Sequence, residues 1–281
     1  MKKFQAISST ISLQLDEEID EFGSNVQDDD DDDDEYIQML LDREINIGTD
    51  GLQMQEFFRS DWIQRARLDG IEYILRMRDL LGFRFQTAYL SITYLDRFLQ
   101  RRSIDATEKA WAVKLVSMAC LSLGAKMEES CTVPLLSDFC LKDDHINFES
   151  KVIQRMELLV LDTLGWKMGS ITPFAFTHFF FKNYYPISIS ISISIPTTNL
   201  LSRIVEIIFG AIKDVKLMNQ RPSVLAAAAT LFVLDQRFTR NVLELKIYPL
   251  ASTFNLQIED IISCYNQVQE IESLKLKKGI N

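Results

Sequence analysis

From Glu35 to Trp166 apolar residues recur at three- and four-residue steps, the spacing that lines one face of a helix. Convincing two-residue alternation is missing over the same stretch, so the pattern predicts an all-helical block. A short helix is expected at about 36–44. A long one opens near Ser60 and closes before Gly82, where glycine can take the left-handed conformation that ends helices. The next, over 85–101, carries Tyr89, Ile92, Leu95, Phe98 and Leu99 on one side. Asp105-x-x-Glu108 resembles a capping box and starts a helix from 106 to about 126, whose nearly all-apolar middle predicts a buried central element. A shorter helix follows Pro134, and another runs from after Asn147 through Arg155, Met156, Glu157 and Leu161 to Gly165. These make five helices beyond the first short one.

The pattern then starts again. Thr172-Pro173 supplies a cap and first turn, a helix covers about 197–213, and Pro222 opens an Ala-rich helix. A short helix near 243–252 and a last one at about 258–276 bring the second count to five. The fold class is therefore all-α, with two tandem five-helix domains at 36–168 and 169–281, similar in arrangement and not in residue-by-residue repeat. Within the second, 187–195 alternates Ile and Ser strictly and reads as an inserted linker, either a loop or a short extended strand on the surface.

Charge separates the N-terminus from this body. Residues 1–35 hold thirteen acids, including the unbroken run Asp28–Asp34, against Lys2 and Lys3, whereas the whole chain of 281 residues carries −10. Self-repulsion and a shortage of apolar surface predict a disordered acidic arm over 1–35. The run serves solubility, or it keeps the arm accessible for degradation. The body beyond it is nearly neutral, which excludes the clustered Lys and Arg that displace counterions from nucleic-acid phosphates. Val224 to Leu234 is the longest apolar run and falls well short of the roughly 20 residues of a membrane-spanning helix, and no targeting peptide is recognisable. Cys120, Cys131, Cys140 and Cys264 form no C-x-x-C pair and read as reduced thiols.

Catalytic chemistry finds few materials. His145 lies in a polar stretch and His178 in a Phe-rich helix, neither in a ligand-like spacing, and both read as surface or satisfied core residues. No glycine pattern suits a dinucleotide or a nucleoside triphosphate, and the H-R-D signature of kinases is missing. Thr172-Pro173, the only Ser/Thr-Pro dipeptide, is better explained by helix capping than by phosphorylation. No catalytic residue, cofactor or metal is expected.

Three motifs in order, Tyr94-Leu-Asp-Arg-Phe98, Gly124-Ala-Lys-Met-Glu-Glu129 and Arg155-Met-Glu157, resemble the first cyclin box. Ile171-Thr-Pro-Phe174 and Arg221-Pro-Ser-Val-Leu-Ala-Ala-Ala-Ala229 are similar to the second box of plant D-type cyclins, so the resemblance covers about residues 35–275. It implies a non-catalytic subunit that binds and activates a cyclin-dependent kinase of the PSTAIRE type and promotes the G1/S transition, in the nucleus and also the cytoplasm. Retinoblastoma-related protein and kinase inhibitors are implied as further partners. A cyclin-fold transcription scaffold is the alternative, although such factors generally use basic surfaces.

By the same resemblance Lys126 and Glu157 are the charged pair that meets the kinase, with Leu123, Met127, Leu161 and Trp166 as the apolar part of the interface or, alternatively, as core. Arg67 and Asp96 correspond to a buried structural ion pair. The positions of the patch that docks R-x-L peptides are Ala66, Asp69, Gly70 and Tyr73, a degenerate patch in which an aspartate disfavours apolar ligands. Where D-type cyclins carry L-x-C-x-E for pocket proteins, this chain has Leu13-Gln-Leu15-Asp-Glu17, with leucine replacing the cysteine.

Overall fold

Long helices with glycine, proline or polar residues at their ends account for the architecture. The computed structural model describes residues 30–47, 61–102, 110–129, 148–184, 197–218 and 220–278. Among these it forms ten helices and no strand: α1 (Asp30–Ile47), α2 (Asp61–Leu81), α3 (Phe85–Arg101), α4 (Ala110–Glu128), α5 (Ser150–Thr163), α6 (Phe174–Tyr184), α7 (Thr197–Ile212), α8 (Pro222–Leu234), α9 (Arg240–Phe254) and α10 (Ile258–Lys278). The arm up to 29 with Leu13, Leu15 and Glu17, the Asp105-x-x-Glu108 box, the helix after Pro134, His145 and the 187–195 insertion lie outside the described residues.

Two compact units divide the chain, one spanning Asp50–Thr172 and the other combining Met1–Thr49 with Pro173–Asn281. In the first, α2, α3 and α5 all pack on α4, the helix with the nearly unbroken apolar sequence. Two glycines permit the close crossings. A Cβ on Gly124 would collide with Ser91 Oγ, and one on Gly70 would lie 2.6 Å from Leu95 Cδ2. Ile74, Met77, Ile92, Leu95, Met118 and Leu121 are wholly buried there, each contributing about 1.5–3 kcal/mol by leaving water.

In the other unit the Ala-rich α8 is central, and α6, α7 and α10 pack against it. Ala226, Ala227, Ala228 and Ala229 are fully buried in it, and aromatic pairs add to the surrounding core. Phe180 stacks on Tyr184 at 5.6 Å and Phe179 meets Phe254 edge-on at 5.1 Å.

Helix α1 differs from expectation in two respects. It begins at Asp30, inside the stretch expected to be a disordered arm. It also groups with the later unit, although it was expected to open the earlier one. Ile37, Leu40 and Leu41 are buried, and the buried Glu44 carboxylate explains the attachment. It accepts hydrogen bonds from Arg221 Nε at 2.9 Å, the Ser223 backbone N–H at 2.8 Å and Ser223 Oγ at 2.7 Å. Arg221 is the N-cap residue of α8 and makes no side-chain cap of its own, so Glu44 supplies the acceptor from another helix.

Candidate functional site

A part-buried charged pair of the first unit is built where α4 ends beside α5. Lys126 occupies the last turn of α4, where a cation is favoured by the helix dipole, and Glu157 lies mid-way along α5. Lys126 Nζ donates to both carboxylate oxygens of Glu157 at 2.7 Å. The Glu157 side chain is only 8% exposed, whereas that of Lys126 is 39% exposed. Two of the three ammonium protons are thus held inward, and the third is available to an acceptor such as a partner's backbone carbonyl. The carboxylate fixes the direction of the lysine.

Exposed apolar side chains lie close to these two residues in sequence. Met127 is 54% exposed and Trp166, just past α5, is 66% exposed. Leu161, one turn beyond Glu157, is half-buried. Leu123 is buried in the unit's own core, so of the four apolar residues expected here it offers the least surface. Leu158 adds an exposed leucine that the sequence reading did not single out. Nothing in a helical pattern distinguishes an apolar residue turned outward for a partner from one turned inward.

The segment after α5 has an unusual backbone. Gly165 and Trp166 both have φ of 60°, the left-handed region that a bulky side chain seldom enters. Gly165 N–H bonds to the Asp162 carbonyl at 3.0 Å and Trp166 N–H to the Leu161 carbonyl at 2.9 Å, the pattern of a Schellman ending. Helix α3 grips the segment on both sides. Arg101 Nη1 donates to the Thr163 carbonyl at 3.2 Å, and the buried Tyr94 hydroxyl donates to the Met168 carbonyl at 2.7 Å. Burial pushes the Tyr94 phenol well above its ordinary range, with Arg97 opposing and Glu128 adding to the rise, so it stays protonated and able to donate.

The expected Arg67–Asp96 pair is present and bidentate, with Nε at 2.7 Å from one carboxylate oxygen and Nη2 at 2.9 Å from the other. Burial pushes the Asp96 carboxyl up, and the charge and hydrogen bonds of Arg67 oppose that rise. The pair ties α2 to α3.

Glu129 received no role from the sequence. Its Oε1 accepts from the Arg84 backbone N–H at 2.9 Å and from Thr87 Oγ1 at 2.6 Å, closing the start of α3 from the end of α4. The neighbouring Glu128 carboxyl is pushed up by burial, with Arg84 opposing and Glu129 adding to it.

The R-x-L positions require a correction. Ala66, Gly70 and Tyr73 are buried, and of the four only Asp69 is exposed. The face of α2 that carries Gly70 is the one pressed against Leu95 of α3 and Ser117 of α4, so these residues do not form a surface patch. Among the described residues no group of His, Cys, Asp or Glu could hold a metal ion, and no helix is long and apolar enough to cross a membrane.

Helices wrapped on a buried central one, with a preformed Lys126–Glu157 pair where α4 ends beside α5, make up the Asp50–Thr172 unit. Comparison with known proteins names the class. The cyclin N-terminal domain family matches residues 35–169. Cyclin-D5-1 of Oryza sativa subsp. japonica is 39% identical over 209 residues, covering 73% of this chain and 54% of that protein. Cyclin-D5-1 of Arabidopsis thaliana is 38% identical over 216 residues, 74% of this chain and 65% of its own length. Cyclin-D1-1 of Arabidopsis thaliana is 38% identical over 201 residues, 71% of this chain and 57% of its own. The chain thus spans little more than half the length of most of these curated relatives. The X-ray structure of a viral cyclin from herpesvirus saimiri superposes with a TM-score of 0.60 at 17% identity, covering 85% of this chain and 99% of that one, which shows the shared fold.

The chain belongs to the cyclin family and, within it, to the D-type cyclins of plants. Its family is one of regulatory subunits and not of catalysts.

Proposed function

We propose that this cyclin binds and activates a cyclin-dependent kinase of the PSTAIRE type, acting in the nucleus to promote the G1/S transition through phosphorylation of a retinoblastoma-related protein. The observation that carries the reading is the Lys126–Glu157 pair, held at 2.7 Å, with exposed Met127 next in sequence to the lysine and exposed Trp166 in the turn after α5. A kinase is active when its strand lysine pairs with the glutamate of its mobile helix, so a partner that binds the inward position of that helix more tightly raises activity without touching ATP. The outward-facing ammonium suits a backbone carbonyl of such a helix, and the apolar side chains suit its hydrophobic flank.

Co-purification with a PSTAIRE-type plant kinase tests the binding step. Wild type is retained, whereas a Lys126→Ala/Glu157→Ala variant with unchanged helical circular dichroism is lost. Failure of wild type to bind any such kinase removes the proposal in favour of the scaffold reading.

A further inference from the structure

We propose that Tyr94 and Arg101 are positioning residues for partner binding, which act by holding residues 163–168 so that the Trp166 backbone is presented in a single conformation. The inference rests on the kinase-docking reading above. Tyr94 and Arg101 lie seven residues apart on α3, two turns of one helix face, about 10 Å along its axis. Their donors reach carbonyls on either side of the Gly165-Trp166 step, Thr163 at 3.2 Å and Met168 at 2.7 Å.

The backbone between those anchors needs such support. A tryptophan at φ 60° is disfavoured relative to the ordinary helical or extended regions and persists when its surroundings determine it. The residue is 66% exposed, so its own side-chain packing does not fix the segment. What fixes it is the Schellman pair behind it and the two donors of α3. A large aromatic residue whose backbone is already fixed loses less freedom on docking, which is where preorganisation gains affinity.

Tyr94 is wholly buried and phenylalanine has nearly the same shape, so Tyr94→Phe removes the donor while keeping the core filled. Kinase affinity is measured by calorimetry for wild type, Tyr94→Phe, Trp166→Ala and the double variant, with amide hydrogen exchange of 163–168 followed in each free protein. Tyr94→Phe is expected to accelerate exchange at 165–168 and to weaken binding about fivefold, the worth of one hydrogen bond. In the Trp166→Ala background it should weaken binding no further, because the side chain carried by the held backbone is gone. A merely structural effect would persist in that background, and this result overturns the proposal. So does unchanged exchange, or unchanged affinity in the single variant. If wild type itself binds no PSTAIRE-type kinase, the docking reading fails first and this inference falls with it, a result separable from the others because it is seen before any substitution.

Discussion

Replacing Asp96 by alanine should be among the most damaging single changes in the Asp50–Thr172 unit. Arg67 is 1% exposed and the Asp96 side chain 8% exposed, and two charge-assisted hydrogen bonds at 2.7 and 2.9 Å join them. Removing the carboxylate leaves a guanidinium with five donors in the interior, without the charge that compensated its lost hydration. Breaking a buried pair in this way costs about 3–5 kcal/mol, a large part of the 5–15 kcal/mol that typically holds a domain folded. Removing both charges is a different perturbation. Arg67→Met with Asp96→Leu refills the space with apolar groups and should cost far less than the sum of the single changes, because no charge is stranded. Urea unfolding followed by circular dichroism, run as a double-mutant cycle, reads the coupling directly. A loss below about 1 kcal/mol for Asp96→Ala, or additive single effects, would refute the reasoning.

Other residues give equally definite expectations. Glu44→Ala removes the acceptor shared by Arg221 and Ser223 and should cost about 1–3 kcal/mol, detected as faster amide exchange within 30–47; unchanged exchange there contradicts the attachment described. Glu128→Gln should stabilise the chain at pH 7, since burial lifts the folded carboxyl above its ordinary value of about 4.5 and the fold disfavours the ionised form. That gain should vanish below the ordinary value, where the acid is protonated in both states, and a gain that persists there argues against it. Burial pushes the Cys264 thiol up to about 12 and raises Cys120 as well, so peptide mapping after alkylation at pH 8 should find both unmodified until the chain is unfolded.

Periodicity made most of the helices legible, because α3, α4 and α8 carry their burial in the spacing or continuity of apolar residues. Pro222, Gly82 and Gly165 marked boundaries through backbone constraints that act locally. The attachment of α1 was hidden for the opposite reason. Glu44 meets Arg221 and Ser223 across some 180 positions, and nothing in the local sequence distinguishes its carboxylate from an exposed one. The Arg67–Asp96 and Lys126–Glu157 pairs were recognisable only through motif resemblance, since charge spacing along the chain does not reveal partners 29 and 31 residues apart. The R-x-L positions failed because resemblance gives register but not exposure. Whether Gly70 faces solvent depends on Leu95 and Ser117 in other helices. The hold on Trp166 was invisible in the same way, requiring a hydroxyl and a carbonyl 74 residues apart to meet.

The central claim is that the surface around Lys126 and Glu157 converts binding into kinase activity. The most direct test is phosphorylation of a retinoblastoma-related fragment by a purified PSTAIRE-type kinase, titrated with wild type and with the folded Lys126→Ala/Glu157→Ala variant. The account predicts saturable activation by wild type and little or none by the variant at the same concentrations. Equal activation by both proteins, or none by wild type bound to the kinase, would contradict it.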